Sequence, residues 1–304
     1  MSMFMISIEA TIVSTAMPQI VAQLGGLHLY SWVFSSFLLT QTAMTVVFGK
    51  LADVYGRKPM MLVGIAIFLI GSILAGFAGS MMTMVVFRLI QGVGAGAVQP
   101  VAITIVADLY PARERGKIQG YLASVWAISA VLGPIAGGFI IRDWSWPWIF
   151  WINVPIGIAA AVGFIVFFHE HAKRERRSID TVGAALFTVA VASLLIALTE
   201  AGTSDSTPGL LAGGIFCLSL VLFIAQERRA ADPMISFALW GRRPIAAANS
   251  VGVLASMALI GLTTFLQSLN LTFWAMLLIA LTIVFLALLV PPVEIRQAVE
   301  VPAE

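Results

Sequence analysis

Charge is scarce in this sequence. Only 11% of its 304 residues are Asp, Glu, Lys or Arg, against about 25% in an ordinary soluble domain. Hydrophobic residues reach 60%, where about 45–50% is usual. A soluble fold has too little interior to hide so much apolar surface, which excludes a cytosolic enzyme and a disordered chain. Cysteine is nearly absent. The single Cys217 rules out an internal disulfide framework, a secreted disulfide scaffold and any cysteine-rich metal site. His28, His169 and His171 show no zinc-ligand spacing with acids or Cys, and no triad or phosphate loop appears. No cofactor and no enzymatic activity are expected. The solvent for this chain is the bilayer.

A spanning helix needs about 20 mostly apolar residues. Ten segments qualify: Met1–Gln23, Ser31–Leu51, Met60–Gly79, Met84–Ala107, Ile118–Ile141, Ile149–Phe168, Val182–Leu198, Leu210–Ala225, Ile245–Leu266 and Leu271–Val290. These runs are too long, and too uniformly apolar, for the alternating strands of an outer-membrane barrel. Lipid offers no hydrogen bonds, so a long apolar run becomes a helix that satisfies its own backbone. The expected fold is therefore all-α and polytopic.

Basic residues fall in alternate connections. Lys50, Arg57 and Lys58 follow the second span, Arg113, Arg115 and Lys117 the fourth, Lys173, Arg174, Arg176 and Arg177 the sixth. Arg228, Arg229, Arg242 and Arg243 follow the eighth, and Arg296 the tenth. The opposite connections hold only Arg142, beside Asp143. The positive-inside rule then puts both termini in the cytoplasm and the protein in the inner (plasma) membrane. The first apolar stretch has no basic flank and contains Glu9, which argues for a retained helix and not a signal peptide. The aromatic run Trp144–Trp151 falls at the outer face, where an interfacial belt explains it better than ligand stacking.

Three regions follow from this pattern. Residues 1–168 form an N-terminal six-helix bundle, residues 169–225 a basic linker and an extra helix pair, and residues 226–304 a short amphipathic connection (Pro233–Trp240) with two further helices. Within the spans, ionisable groups are rare enough to be informative. Apart from Lys50 at the very end of the second span, Arg88 is the one basic residue placed inside a span, and Gln91 lies one turn later on the same face. A charge at that depth faces an interior or a water-filled pathway, or else snorkels from near the helix end. Glu9 is the one acid inside a span. Burial in lipid penalises a charged carboxylate, which suits a proton carrier; a wet position near the N-terminus is the alternative. The connection from Gly49 to Pro59 holds Asp53, Gly56, Arg57 and Lys58. Its glycines permit a tight turn, and Asp53 is placed to reach Arg57, Lys58 or a helix N-terminus. On the fifth span Gly133, Pro134, Gly137 and Gly138 combine small residues, which let helices approach closely, with a helix-bending proline. Gly92, Gly94 and Gly96 offer the same close approach on the fourth.

The stretch Gly49-Lys-Leu-Ala-Asp-Val-Tyr-Gly-Arg-Lys-Pro59 is similar to the signature loop of the major facilitator superfamily. Arg88–Gly96 resembles that family's fourth-helix motif, and Val131–Gly138 the fifth-helix motif typical of its antiporters. Glu9–Pro18 and Trp151–Gly157 resemble motifs of the fourteen-helix drug:proton antiporter branch. The resemblance covers residues 1 to about 266. It implies a major facilitator-like six-helix bundle, proton coupling through Glu9, Arg88 and Gln91, and a conformational-switch loop at Gly49–Lys58. It further implies a motif at Gly133–Gly138 that packs two bundles together. The implied partners are protons, the lipid bilayer and amphipathic small-molecule drugs; nucleic acid is not among them. Leu271–Trp274 resembles the start of the family's last helix, and this resemblance implies that four helices of the branch are absent near Gln267. That leaves an incomplete C-terminal portion and about ten transmembrane helices. It also raises two alternatives, an internally deleted, transport-incompetent remnant and a membrane interaction subunit acting as a homodimer.

The sidedness is directly testable. In a Cys217→Ser background, Gly116→Cys should react with a membrane-impermeant maleimide only from the cytoplasm, and Ser204→Cys only from outside. The reverse pattern would overturn the topology.

Overall fold

The computed structural model describes residues 1–170, 180–200, 207–230, 243, 245–252 and 254–255. Helices α1 (Ser2–Leu24), α2 (Tyr30–Tyr55), α3 (Arg57–Gly76), α4 (Met81–Leu109) and α5 (Ala112–Asp143) follow one another. A short α6 (Trp148–Trp151), then α7 (Asn153–Phe167), α8 (Thr181–Glu200) and α9 (Thr207–Glu227) complete the order. Taking α6 and α7 together, eight helices among the described residues are long and apolar enough to cross a membrane. The expected tenth span, the Gln267 junction, the amphipathic connection and the basic cluster 173–177 lie outside the described residues. Of the ninth span, residues 245–252 are helical. The chain divides into two compact units, Met1–Met234 and Ile235–Glu304. Helices α1 to α9 all belong to the first.

Short connections set the helix order. Gly25 and Gly26 take positive φ of 68° and 67° and end α1 in a tight turn, a conformation that costs glycine little. Ser80 starts α4 with a capping box: its hydroxyl accepts from Thr83 N at 3.2 Å while Thr83 Oγ1 accepts from Ser80 N at 3.1 Å. The expected loop between the second and third spans is instead mostly helix. α2 runs on to Tyr55, so Gly49 lies inside it and makes no turn; Gly56 alone breaks the chain, at φ 104°. The charged residues Arg113–Lys117 likewise sit in the first turns of α5 and not in a free loop. Arg115 donates to the carbonyls of Ala107 at 2.7 Å and Tyr110 at 2.9 Å, which satisfies the exposed C-terminus of α4.

Helix α4 lies against both α2 and α3, α1 packs on α5, α7 on α3, and the α8–α9 pair leans on α2 through α8. Small residues set the α4 contacts. A Cβ on Gly94 would strike the backbone nitrogen of Phe68 and come within 2.6 Å of the Gly64 carbonyl oxygen; one on Gly92 would strike Thr40 Oγ1 and the Phe37 carbonyl. Two apolar clusters result. One gathers Ile12, Ala75, Met84, Val85, Ile149 and Phe150; the other gathers Met5, Ile6, Phe68, Ala95, Val98 and Ala160. The aromatic run divides between interface and core. Trp144 and Trp148 are exposed as a belt requires, but Trp146 is buried among the first cluster, its indole N–H donating to Gln23 Oε1 at 2.7 Å. A satisfied indole can sit in the core, so position along the chain did not decide its place.

Overpacking at a helix crossing is costly. Gly94→Val should therefore lower stability by about 2 kcal/mol or more in a thermal unfolding assay in mild detergent. Gly138→Ala, where an added Cβ meets nothing within 4 Å, should stay within about 0.5 kcal/mol of the parent.

Candidate functional site

Helices α1, α2, α3 and α4 contribute to both apolar clusters, and each carries a buried polar residue between them. On α1, Glu9 lies between Ile6 and Ile12; on α3, Ser72 lies between Phe68 and Ala75. On α2 Ser36 lies between Val33 and Phe37, on α4 Arg88 and Gln91 lie between Val85 and Ala95, and Asn153, the first residue of α7, lies between Phe150 of α6 and Ala160. The helices thus stack one polar layer between two apolar ones. Glu9, Ser72, Gln91 and Asn153 have no solvent exposure and Arg88 has 2%.

The layer is a connected network. Arg88 Nη1 donates to Glu9 Oε1 in a buried ion pair and to Gln91 Oε1 at 2.8 Å. Arg88 Nε donates to the Val33 carbonyl at 3.2 Å, and the guanidinium carbon sits 4.1 Å from the centre of the Phe37 ring. The second carboxylate oxygen of Glu9 accepts from Asn153 Nδ2 at 2.6 Å. Ser72 Oγ accepts from Gln91 Nε2 at 2.9 Å and Asn153 Nδ2 at 3.0 Å, and donates to the Phe150 carbonyl at 3.0 Å. A buried ion pair persists only when mutual attraction and further hydrogen bonds offset its desolvation. Both oxygens of the carboxylate are used here.

Glu9 and Arg88 were each singled out by rarity, and the structure brings them together with Gln91. Arg88 does not snorkel, and Glu9 is not wet. Sequence reasoning did not find Ser72 or place Asn153 in the site. An Asn inside an apolar span was the available signal for the second; a serine in a membrane helix is too common to be one.

A cavity of about 600 Å3 borders this layer, with Arg88 and Phe37 in its wall. Its remaining lining includes Phe34, Gln41, Gln99 and Trp126, a mostly apolar surface with a few polar groups, as ligand cavities usually have.

The other predicted residues occupy two further places. At the α2–α3 break, Arg57 pairs with Asp53 at 3.0 Å and with Asp108 of α4 at 2.9 Å. Lys58 leaves Asp53 alone and donates to the carbonyls of Ile165 at 2.9 Å and Phe168 at 2.7 Å, at the end of α7. Glu170 accepts from the backbone N–H of Arg57 at 2.5 Å and of Lys58 at 3.4 Å, a carboxylate on the positive end of α3. Asp108 and Glu170 carried no signal in the sequence, because each meets its partner only across helices. On α5, Gly133 and Gly137 face Thr11, Ile12 and Thr15 of α1, whereas Pro134 and Gly138 are exposed. Beside them Ser129 Oγ bonds Ser7 Oγ at 2.7 Å, and Thr11 Oγ1 donates to the Ser129 carbonyl at 3.1 Å.

Removing one member of a buried pair strands the other charge, at about 3–5 kcal/mol. Arg88→Met should destabilise by that amount in detergent unfolding, and the double variant Glu9→Gln/Arg88→Met should recover at least about half of it. A double variant as unstable as the single one would show that the pair is not the source of the cost.

Comparison with known proteins places this architecture. The family model described as Major Facilitator Superfamily matches residues 1–293. Multidrug resistance protein 3 of Bacillus subtilis (strain 168) is 38% identical over 269 residues, covering 88% of this chain and 52% of that protein. Multidrug transporter protein MdtP of the same organism is 34% identical over 267 residues, covering 87% of this chain and 49% of that protein. The chain thus spans about half the length of these curated relatives. Among solved structures, an auto-inhibited POT family peptide transporter superposes with a TM-score of 0.54 at 17% identity, covering 95% of this chain and 65% of that one; that likeness concerns the fold alone.

Proposed function

The chain belongs to the Major Facilitator Superfamily, and from that premise we propose that it serves proton-coupled efflux of amphipathic small-molecule drugs, as an antiporter of the fourteen-helix branch. The superfamily is one of multi-pass membrane transporters and not of enzymes. The observation that carries the proposal is the buried Glu9–Arg88 pair within a polar layer that has almost no solvent exposure.

A proton arriving at Glu9 removes the charge that compensates Arg88. The guanidinium is then stranded in a low-dielectric layer, where an unpaired charge is strongly unfavourable. Gln91, the Val33 carbonyl and the Phe37 ring remain around it, but none carries a negative charge. Protonation thus changes which arrangement of α1, α3, α4 and α7 is most stable, and a ligand with different affinity for those arrangements shifts the same equilibrium. The neighbouring cavity offers aromatic walls and the amides of Gln41 and Gln99, which suit an amphipathic guest. Arg57, bridging Asp53 and Asp108, links three helix ends on the side proposed as cytoplasmic, where a switch in helix packing would break or remake its pairs. The α1–α5 seam at Gly133 and Gly137 packs tightly enough to oppose leak. We place the protein in the inner (plasma) membrane with both termini cytoplasmic, as the basic connections dictate.

Expression in an efflux-deficient host should lower ethidium accumulation while a proton gradient is present, and collapsing the gradient should abolish the difference. Glu9→Gln and Arg88→Ala should each accumulate ethidium as the empty-vector host does. Accumulation unchanged by the parent chain would overturn the proposal.

A further inference from the structure

The described residues contain two buried side-chain polar atoms without a hydrogen-bond partner, and one of them, Asn153 Oδ1, belongs to the polar layer around Glu9 and Arg88. Asn153 has no solvent exposure, and buried amides normally satisfy both ends. Its Nδ2 does so doubly, donating to Glu9 Oε2 at 2.6 Å and to Ser72 Oγ at 3.0 Å. With Glu9 ionised this orientation is the only favourable one, because a carboxylate accepts and does not donate. Turned over, the amide would set Oδ1 against a carboxylate oxygen, acceptor against acceptor.

Protonation reverses that preference. Glu9 Oε1 stays against the guanidinium N–H of Arg88, so the acid O–H forms on Oε2, where the amide N–H₂ has no lone pair to offer. We infer that Asn153 reads the protonation state of Glu9: its carboxamide donates to the carboxylate when Glu9 is ionised, and turns over to accept the acid O–H through Oδ1 when Glu9 is protonated. The inference rests on the proposed proton-coupling role of Glu9. No covalent bond changes beyond the one O–H formed by the incoming proton. Ser72 can follow the turn, since its hydroxyl both donates and accepts.

The surroundings leave Asn153 this task. Glu9 is faced by Arg88 and Gln91 from α4 and by Asn153 from α7, and Arg88 is the only charged group among them. Helix α5, on the other flank of α1, sends Ser129 to Ser7 and Thr11, none of which titrates in the accessible range. Asn153 is therefore a positioning residue: it carries the state of a carboxyl on α1 into α7, and through Ser72 into α3.

The test is a pH titration of the full chain in lipid nanodiscs, followed by infrared difference spectroscopy with isotope-labelled asparagine. The expected result is a carboxylic-acid C=O band that Glu9→Gln abolishes, together with a shift of one asparagine carbonyl band at the same pH. Glu9→Gln should abolish that shift too, and Asn153→Leu should remove the shifting band while the acid band persists at higher frequency. Should Asn153→Leu not fold, the Glu9→Gln comparison still decides, because only a carbonyl coupled to Glu9 loses its response. An acid band that titrates while every asparagine band stays still would overturn this inference and leave proton coupling at Glu9 intact. No Glu9-dependent acid band at any pH would remove the proton-coupling reading itself.

Discussion

Neither Glu9 nor Arg88 could be held in this bundle alone, and most of the bundle is arranged so that they are held together. An isolated charge in a lipid-embedded interior is strongly disfavoured. Their ion pair relieves that cost only because the rest of the layer completes it: Asn153 on the second carboxylate oxygen, Gln91 and the Val33 carbonyl on the guanidinium, and Ser72 joining the two amides. Four helices must therefore keep register to within the length of a hydrogen bond. The apolar clusters above and below supply that register, and the glycines of α4 bring the backbones near enough for short side chains to meet.

This construction joins stability to function at one place. A connected buried network rigidifies the fold, and one whose charge balance is changed by a single proton becomes the weakest layer. The same polar residues thus hold the helices in one arrangement and, on the proposed mechanism, release them from it. The α2–α3 break repeats the principle at a helix end. There Lys58 and Glu170 tie the ends of α3 and α7 through charges on backbone groups, and Arg57 ties α3 to α4 through the Asp108 carboxylate.

Much of this was legible in the chain. Long apolar runs marked the helices, and the rarity of charge within spans picked out Glu9 and Arg88. Gly56 was readable as a turn, whereas Gly49 was not distinguishable from it by type, and only the continuation of α2 to Tyr55 separates them. Trp146 shared its neighbours' composition but not their exposure, since a partner for its indole lay 123 residues away at Gln23.

The sequence by itself determined that this is a membrane protein of spanning helices, and that two lone ionisable groups lie within them. Those properties follow from hydropathy and charge summed along a segment, and need no knowledge of neighbours. Only the tertiary structure decided that the two groups meet, that Asn153 and Ser72 complete their layer, and that the Asn153 carboxamide oxygen in that layer is left without a donor. Such contacts depend on the rotation and approach of helices distant in the chain. The small residues that govern the approach carry no label saying which partner they admit.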